Sequence, residues 1–575
     1  MKRSIFLLSL CLALFACKEQ NTPDSSSTSS SSVASDTTTN TGDDTNDFVD
    51  NQTWNHTITI TYNGSTATIS NSVDGVSITN QNGYVSISST VKNVAYQVSG
   101  SGTGQLRFDS ANYKFKLILS NLTLTCSDGP AINNQCHKTC YVVLSGNNTL
   151  ADGSTYASSS EDRKAALFSE GQLCFSGSGS LKVTGNYKHA IASDDYIRFC
   201  SGLGTINAVA NVSDGIHSND GIIINDGTIT VNAAGDAIQC DTSSIVVTGG
   251  TTTITAAGDK GVLAWSNIDI SGGTLTVKSV DKGIKSRGGN IILSGGTINI
   301  TTTGDDGKGI LASLGSIQLC GSNVAVTTQG STAKGIKAVG DLTISDGTIT
   351  VVAVSSSGSY RQNAGPGGQG GGPGQGGGGM GGTSGPEGIE SKSTITITGG
   401  TINVKSTDDA INSAGVMTIS GGNIYAYSTG NDAVDSNGNM YIKGGIVMAF
   451  GASGAETGID VAEQRSLSIS GGEIFAIGGR IDGAPSSASQ AYAYSSSSDS
   501  YSNGYVVLGN GSGNIFAVKT PASYSGAVFV SSPSMTKGTT YYLQSSSSVS
   551  GTAVNGFISS PSGTTTSGTS LTARQ

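Results

Sequence analysis

Thr407–Gly445 reads TDDAINSAGVMTISGGNIYAYSTGNDAVDSNGNMYIKGG, and its two halves say nearly the same thing. Asp408-Asp409 and Asn431-Asp432 each precede a small and a branched residue, Ala410-Ile411 and Ala433-Val434. A polar residue follows (Asn412, Asp435), then alternating strand residues, then Gly-Gly. Period-2 alternation broken by Gly-Gly reads as two short strands joined at a sharp bend.

The branched residue marks a repeat that runs outward in both directions: Ile132, Leu167, Ile191, Ile216, Ile238, Val262, Ile284, Ile310, Ile336, Ile389, Ile411, Val434 and Ile459. Most intervals are 22 to 26 residues, and one of 53 holds the glycine-rich insert 355–386. A unit this short cannot bury its own apolar face, but stacked copies can, each laying Ile, Val or Leu on the next. The expectation is an all-β, right-handed parallel β-helix, its strands ~4.8 Å apart between coils. A β-propeller needs blades of about 40 residues, which are missing. Residues 126–480 are assigned to the helix and 51–125, with strand signals but no repeat, to an N-terminal β cap. Residues 481–575 are assigned to a C-terminal β capping region over the open edge of the last coil.

The first residues address the chain elsewhere. Lys2 and Arg3 precede a short apolar run ending Leu14-Phe15-Ala16-Cys17, which reads as a lipoprotein signal peptide (1–16) with Cys17 as the lipidated residue. Residues 17–50 are mostly Ser, Thr, Asp and Asn and are expected to form a flexible tether. This places the protein in a bacterial cell envelope, at the outer membrane or cell surface, as a lipid-anchored monomer. A formal charge of −10 argues against nucleic acid as a partner. Cys136 and Cys140 form one close pair with no matching second pair, so a loop disulfide or two buried thiols is expected there rather than a metal.

In a stacked helix, residues at one offset from the marker form a surface column. Two places before it the column reads His189, Asp214, Asp236, Lys260, Lys282, Lys308, Lys334, Glu387, Asp409, Asp432, Thr457. Like charges one coil apart repel by roughly 3 kcal/mol at an effective dielectric of 20, so each block needs neutralising. Asp259, Asp281, Asp305 and Asp306 are local partners for the lysines. The later acids gather Glu390, Asp408, Asn412, Asp435 and Asn437 around them, with Lys392 as the nearby cation. An oxygen-rich set of this kind suits calcium. Asp214, Asp220, Asp236 and Asp241 form an earlier group of the same composition, with His217 as its potential cation. Asp and Asn are also ordinary turn residues, and that reading stays open beside the metal one. Lys260, Lys282, Lys308 and Lys334, joined by Lys285, Arg287 and Lys337, suggest contact with a carboxylate-bearing polymer, and Trp265 could stack on a sugar ring. The same lysines could instead be solvated partners of neighbouring aspartates.

At SDGIHSNDGIIINDGTITV (213–231), GPEGIESKSTITITGGTINV (385–404), TDDAINSAGVMTISGG and GNDAVDSNGN the chain resembles the bacterial carbohydrate-binding-domain proteins. The polysaccharide-lyase-like β-helix of that family binds calcium, cellulose and polygalacturonate. The resemblance implies calcium ligation by Glu387, Glu390, Asp409, Asn412, Asp432 and Asp435. Ala410 and Ala433 depart from the glycine usual at their position, which puts the local turn geometry in question. The resemblance favours a non-catalytic polysaccharide binder. A calcium-dependent, pectate-type lyase with Lys285, Arg287 or Lys337 as base is the alternative. An adhesin or structural surface protein is a second alternative.

Overall fold

The computed structural model describes residues 45–354, 385–454, 456–482, 484–521 and 524–575. The expected signal peptide, Cys17, residues 17–44 of the tether and nearly all of the insert lie outside them.

Most coils carry three short strands, as in Lys282–Ser286, Ile291–Leu293 and Thr297–Thr302, and in some the last two run on as one, as in Ile317–Thr328. The first strand of every coil joins a 16-stranded sheet, and the other two belong to a larger sheet that bends at Gly-Gly. All pairings from coil to coil through this region are parallel, and Ile216, Ile238, Val262, Ile284, Ile310 and Ile336 stand directly over one another. The protein is a parallel β-helix. Its inward Ile, Val and Leu form one continuous core in which most side chains are fully buried. At the bends the second glycine takes a left-handed backbone, φ 76° at Gly273 and 78° at Gly296. A side chain would strain that turn, which explains Gly-Gly in the repeat.

The residue just before the marker sits where the chain rounds a crowded corner. A β-carbon added to Gly388 would come within 2.1 Å of Val404 Cγ1, and one added to Gly335 within 2.2 Å of Val351 Cγ1. Ala410 and Ala433 nevertheless occupy this position in the next two coils. The residues stacked on Val404 there are Ala426 and Ala449. Glycine opposite valine has become alanine opposite alanine, and the ladder keeps its register through both coils. In these two coils the departure from glycine is matched by a smaller partner, and the turn stays in place.

The parallel ladder starts earlier than the expected boundary at 126. Tyr84–Ser89 and Gln105–Ala111 pair in parallel, and the latter pairs with Ile132–Asn134. Residues 51–125 therefore contribute coils, and only Val76–Gln81, antiparallel to Tyr84–Ser89, closes that sheet. The repeat was hidden because this core is aromatic, with Tyr96, Phe108 and Phe115 packed ring on ring. Residues 45–50, expected in the tether, are pinned to the flank of the helix. Buried Asp47 pairs with Arg198, itself 1% exposed, at 2.8 Å. Phe48, Val49 and Trp54 cover Tyr141, Cys174 and Cys200. At the other end Tyr524–Ser531 runs antiparallel to the last coil and shields its edge, and a five-stranded antiparallel sheet follows. Cys136 and Cys140 are two buried free thiols.

The corner exchange gives a direct test. Ala426→Val should cost about 1–3 kcal/mol in urea denaturation by overpacking against Ala410. Adding Ala410→Gly should recover most of that loss, although Ala410→Gly alone is no better than neutral.

Candidate functional site

The column expected from sequence exists as one ladder along a single corner. Backbone bonds carry it from His189 through Asp214, Asp236, Lys260 and Lys282, and Lys282 stands over Lys308, Lys334 and Glu387. A second ladder runs beside it one residue beyond the marker: His217, Gln239, Leu263, Lys285, Leu311, Lys337, Glu390, Asn412, Asp435 and Asp460.

The lysine block does not project into solvent. Lys260 reaches Asp259, and also Asp236 at 3.6 Å. Lys282 reaches Asp281, and Asp306 at 3.6 Å, while Lys308 pairs with Asp306. Their side chains are only 11–12% exposed. Three of the four expected partners are thus in place, and the block is neutralised within itself. Lys334 meets Glu387 at 2.7 Å and Lys337 meets Glu390 at 2.9 Å, with Lys392 on the second oxygen of Glu390. This corrects the expectation that only Lys392 offers positive charge near the later acids. The insert separates these pairs by 53 residues in the chain while the fold puts them one coil apart. Burial drives Glu387 up to about 7 against the pull of Lys334. At Glu390 burial is outweighed by Lys337 and Lys392, which hold its carboxyl below the ordinary glutamate range.

Past this junction compensation stops. Asp408, Asp409, Asp432 and Asp435 make no ion pair among the described residues. Asp460 has Arg480 at 3.7 Å. Burial, reinforced by the neighbouring acids, pushes Asp409 well above the usual carboxylate range, Asp435 to about 7 and, with Asp482 alongside, Asp460 to about 8. Burial, helped by the charges of Glu456 and Asp482, carries Asp432 to about 6. Asp409 and Asp432 each turn one oxygen to the backbone N–H of the following coil, Asp432 N at 3.3 Å and Thr457 N. Asn412 donates to the other oxygen of Asp409 at 2.9 Å, and Asn437 donates to Asp435 at 3.1 Å. Asp408 accepts from Gly385 N at 2.7 Å and Asn431 at 2.8 Å. The turn reading and the ligand reading therefore divide the oxygens between them. One oxygen of Asp409 and of Asp432 fixes the turn, and the other Asp409 oxygen is held by the Asn412 amide, with no ion pair at either aspartate among the described residues. Glu387 Oε2 is buried with no hydrogen-bond partner. An all-oxygen donor set with an orphaned buried oxygen fits a hard divalent cation such as calcium.

The earlier acid group is arranged differently. Asp214 Oδ2 lies 3.2 Å from His189 Nδ1 and 3.0 Å from His217 Nδ1, and the two imidazoles hold its carboxyl well below the usual range in spite of burial. Asp236 turns to Lys260, Asp220 accepts from Thr242 at 3.0 Å, and Asp241 Oδ2 lies 3.3 Å from His217 Nε2. The four aspartates do not close on one point. The His189–Asp214 contact was missed in sequence; its signal is a histidine two places before one marker with an aspartate at the same offset one coil on.

Trp265 is 51% exposed, and the Arg287 guanidinium lies 5.9 Å from its ring centre. Lys285 makes no ion pair among the described residues. Burial and the charges of Lys260, Lys282 and Arg287 hold its ammonium below the ordinary lysine value.

The profile of the carbohydrate-binding domain-containing protein family matches residues 81–328 and 242–433, which takes in the first ladder as far as Asp432 and the second as far as Asn412. The chain belongs to this family. No curated protein matches it. Among solved structures the chain is similar to a polysaccharide lyase-like protein from C. thermocellum, seen as a gadolinium derivative, at 19% identity and a TM-score of 0.30 over 45% of this chain and 93% of that one.

The family member should show the mark of its crowded acids. Asp432, Asp435 and Asp460 keep their protons to higher pH folded than unfolded, so between about pH 4 and pH 8 the native state binds more protons and stability falls as pH rises. Calorimetry in chelator should show the melting temperature falling by at least a few degrees from about pH 5 to about pH 8. Asp435→Asn should remove a large share of that fall.

Proposed function

We propose that the chain is a lipid-anchored envelope protein that holds acidic polysaccharide through calcium on the Glu387–Asn437 ladder, without turning it over. The observation that carries this reading is the run of aspartates beyond the last paired lysine, Asp409 and Asp432 buried and Asp435 half-buried. Such a run is unfavourable at neutral pH unless a cation joins it. Glu387 Oε2, Asp409, Asn412, Asp432 and Asp435 are the groups that would hold calcium. The ion, when bound, offsets their charge and offers open positions to an outside carboxylate. Among the described residues, no three carboxylates of this ladder bring ligand oxygens within 4.8 Å of one another. That spacing supports a line of cations completed by a polymer over a closed structural cage. The register keeps neighbouring oxygens ~4.8 Å apart, the spacing of the coils, so a linear chain laid along the corner meets them in sequence. The signal sequence and Cys17 support attachment to the envelope.

The binder reading is favoured over the lyase by distance. A lyase needs base and cation on the same uronate, with the base at hydrogen-bond range of its proton. Lys285 is chemically suited to be a base, yet it stands three coils from Glu390, ~14 Å along the ladder, and five from Asp435, ~24 Å. Lys337 is near enough but is held by Glu390. Trp265 with Arg287 forms a second contact surface on the same edge, apolar enough to stack on an uncharged ring.

Affinity gel retardation decides the matter. Migration through polygalacturonate should slow in calcium, recover in chelator, and be insensitive to calcium in Asp409→Asn/Asp435→Asn. Lys282→Ala should leave retardation unchanged, since that side chain is buried against Asp281. Formation of an unsaturated uronate on incubation with polymer and calcium would overturn the non-catalytic reading, and calcium-independent migration of the wild type would overturn the site.

A further inference from the structure

We propose that the corner built by His189, Asp214 and His217 is a site for a borderline transition-metal ion such as zinc, held by the two imidazole Nδ1 atoms and Asp214 Oδ2. It does not rest on the polysaccharide reading. His217 lies six coils from Glu390, ~29 Å along the ladder.

The three ligand atoms all lie within 4.8 Å of one another, and the residues are only 2%, 7% and 6% exposed. The two measured nitrogen–oxygen separations, 3.2 and 3.0 Å, are close to the edge of about 3.3 Å that a tetrahedral zinc site has with bonds of about 2.0–2.1 Å. The carboxylate is aimed. Asp236 N–H donates to Asp214 Oδ1 at 2.9 Å, which turns Oδ2 toward both rings. His217 is aimed as well, because its Nε2 faces Asp241 Oδ2 at 3.3 Å. A ligating imidazole commonly donates its other N–H to a carboxylate, which fixes the tautomer that leaves the opposite nitrogen free to bind metal.

Proton bookkeeping points the same way. Without an ion both Nδ1 atoms face Asp214 Oδ2, and His217 must carry a proton on Nδ1 to be satisfied there. His217 would then need a second proton to donate to Asp241. His189 Nδ1 accepts from the Asp214 N–H at 3.3 Å, so its lone pair is turned into the corner and also faces Asp214 Oδ2 at 3.2 Å, two acceptors together. The two rings stack with centres 4.2 Å apart at 24°. His189 Nε2 is buried with no partner, so the polar return for burying this ring comes through Nδ1, the atom aimed into the corner. A divalent ion would lie between the two Nδ1 lone pairs and Asp214 Oδ2, which removes the acceptor–acceptor contact, and His217 Nε2–H is left for Asp241. Two neutral imidazoles and one carboxylate leave a net charge of +1, which Asp241 offsets. Nitrogen donors with a single carboxylate oxygen select zinc-like ions over calcium, which takes six to eight oxygens.

The experiment uses the full chain, stripped with chelator and titrated with zinc and, separately, calcium by calorimetry. Cobalt(II) serves as the spectroscopic probe. One zinc per chain is expected, with affinity undiminished by excess calcium. His217→Ala should lower it at least 100-fold. Asp241→Asn, an isosteric change at a side chain 41% exposed, should lower it about 10–100-fold. The cobalt spectrum should show nitrogen and oxygen ligands without a thiolate charge-transfer band. If His217→Ala does not fold, His217→Gln is read in the same way. Failure of the natively folded wild type to bind zinc, binding untouched by the His217 and Asp241 changes, or a thiolate band placing the ion on the cysteines would each overturn the site.

Discussion

Everything in this protein depends on in-register stacking of one apolar residue per coil. Ile310 over Ile284 and Ile336 over Ile310 bury what no single coil could bury, and burial permits only one register. A slip of one residue would turn every marker outward and every charge inward. Because the register is that firm, chemistry placed at a fixed offset becomes a line in space. The corner at Gly388 and Ala410 shows how closely the register is guarded: when the turn residue grew by a methyl, its partner lost two carbons and the ladder did not move.

The same stacking creates an electrostatic problem, and the corner meets it differently along its length. Lys260, Lys282 and Lys308 fold back onto aspartates from their own turns. Lys334 and Lys337 reach across one coil to Glu387 and Glu390, so the change of sign along the ladder is itself a pair of salt bridges. Removing a partner from such a buried pair leaves a charge with neither water nor counter-ion, which makes these lysines structural first. The places where compensation is missing are therefore the informative ones.

How much of this was legible follows from what sequence encodes locally. Spacing of branched residues and Gly-Gly is local, so the fold and both ladders could be read directly. The contacts of a lysine are not local. Its long side chain can point to solvent or lie down on an acid, and only the packed corner decides. The pairing of Lys334 with Glu387 was hidden by the insert, although counting coils instead of residues would have found it. The N-terminal coils escaped because Phe108 and Tyr96 replace the small branched residues, yet Leu106 lies 26 residues before Ile132 and pairs with it, so the period was already present.

The acid ladder and the histidine corner use the same two offsets, and the difference between them is one of donor chemistry. At Asp409 the neighbour three residues on is Asn412, an amide that adds a further oxygen; at Asp214 it is His217, which adds nitrogen. A single substitution in an otherwise repeated turn thus changes the donor atoms that the turn presents. A solenoid of this kind does not need a new fold for each site. It needs the same corner again with one different side chain, and the backbone bond from each aspartate to the following coil keeps the rest of the geometry fixed.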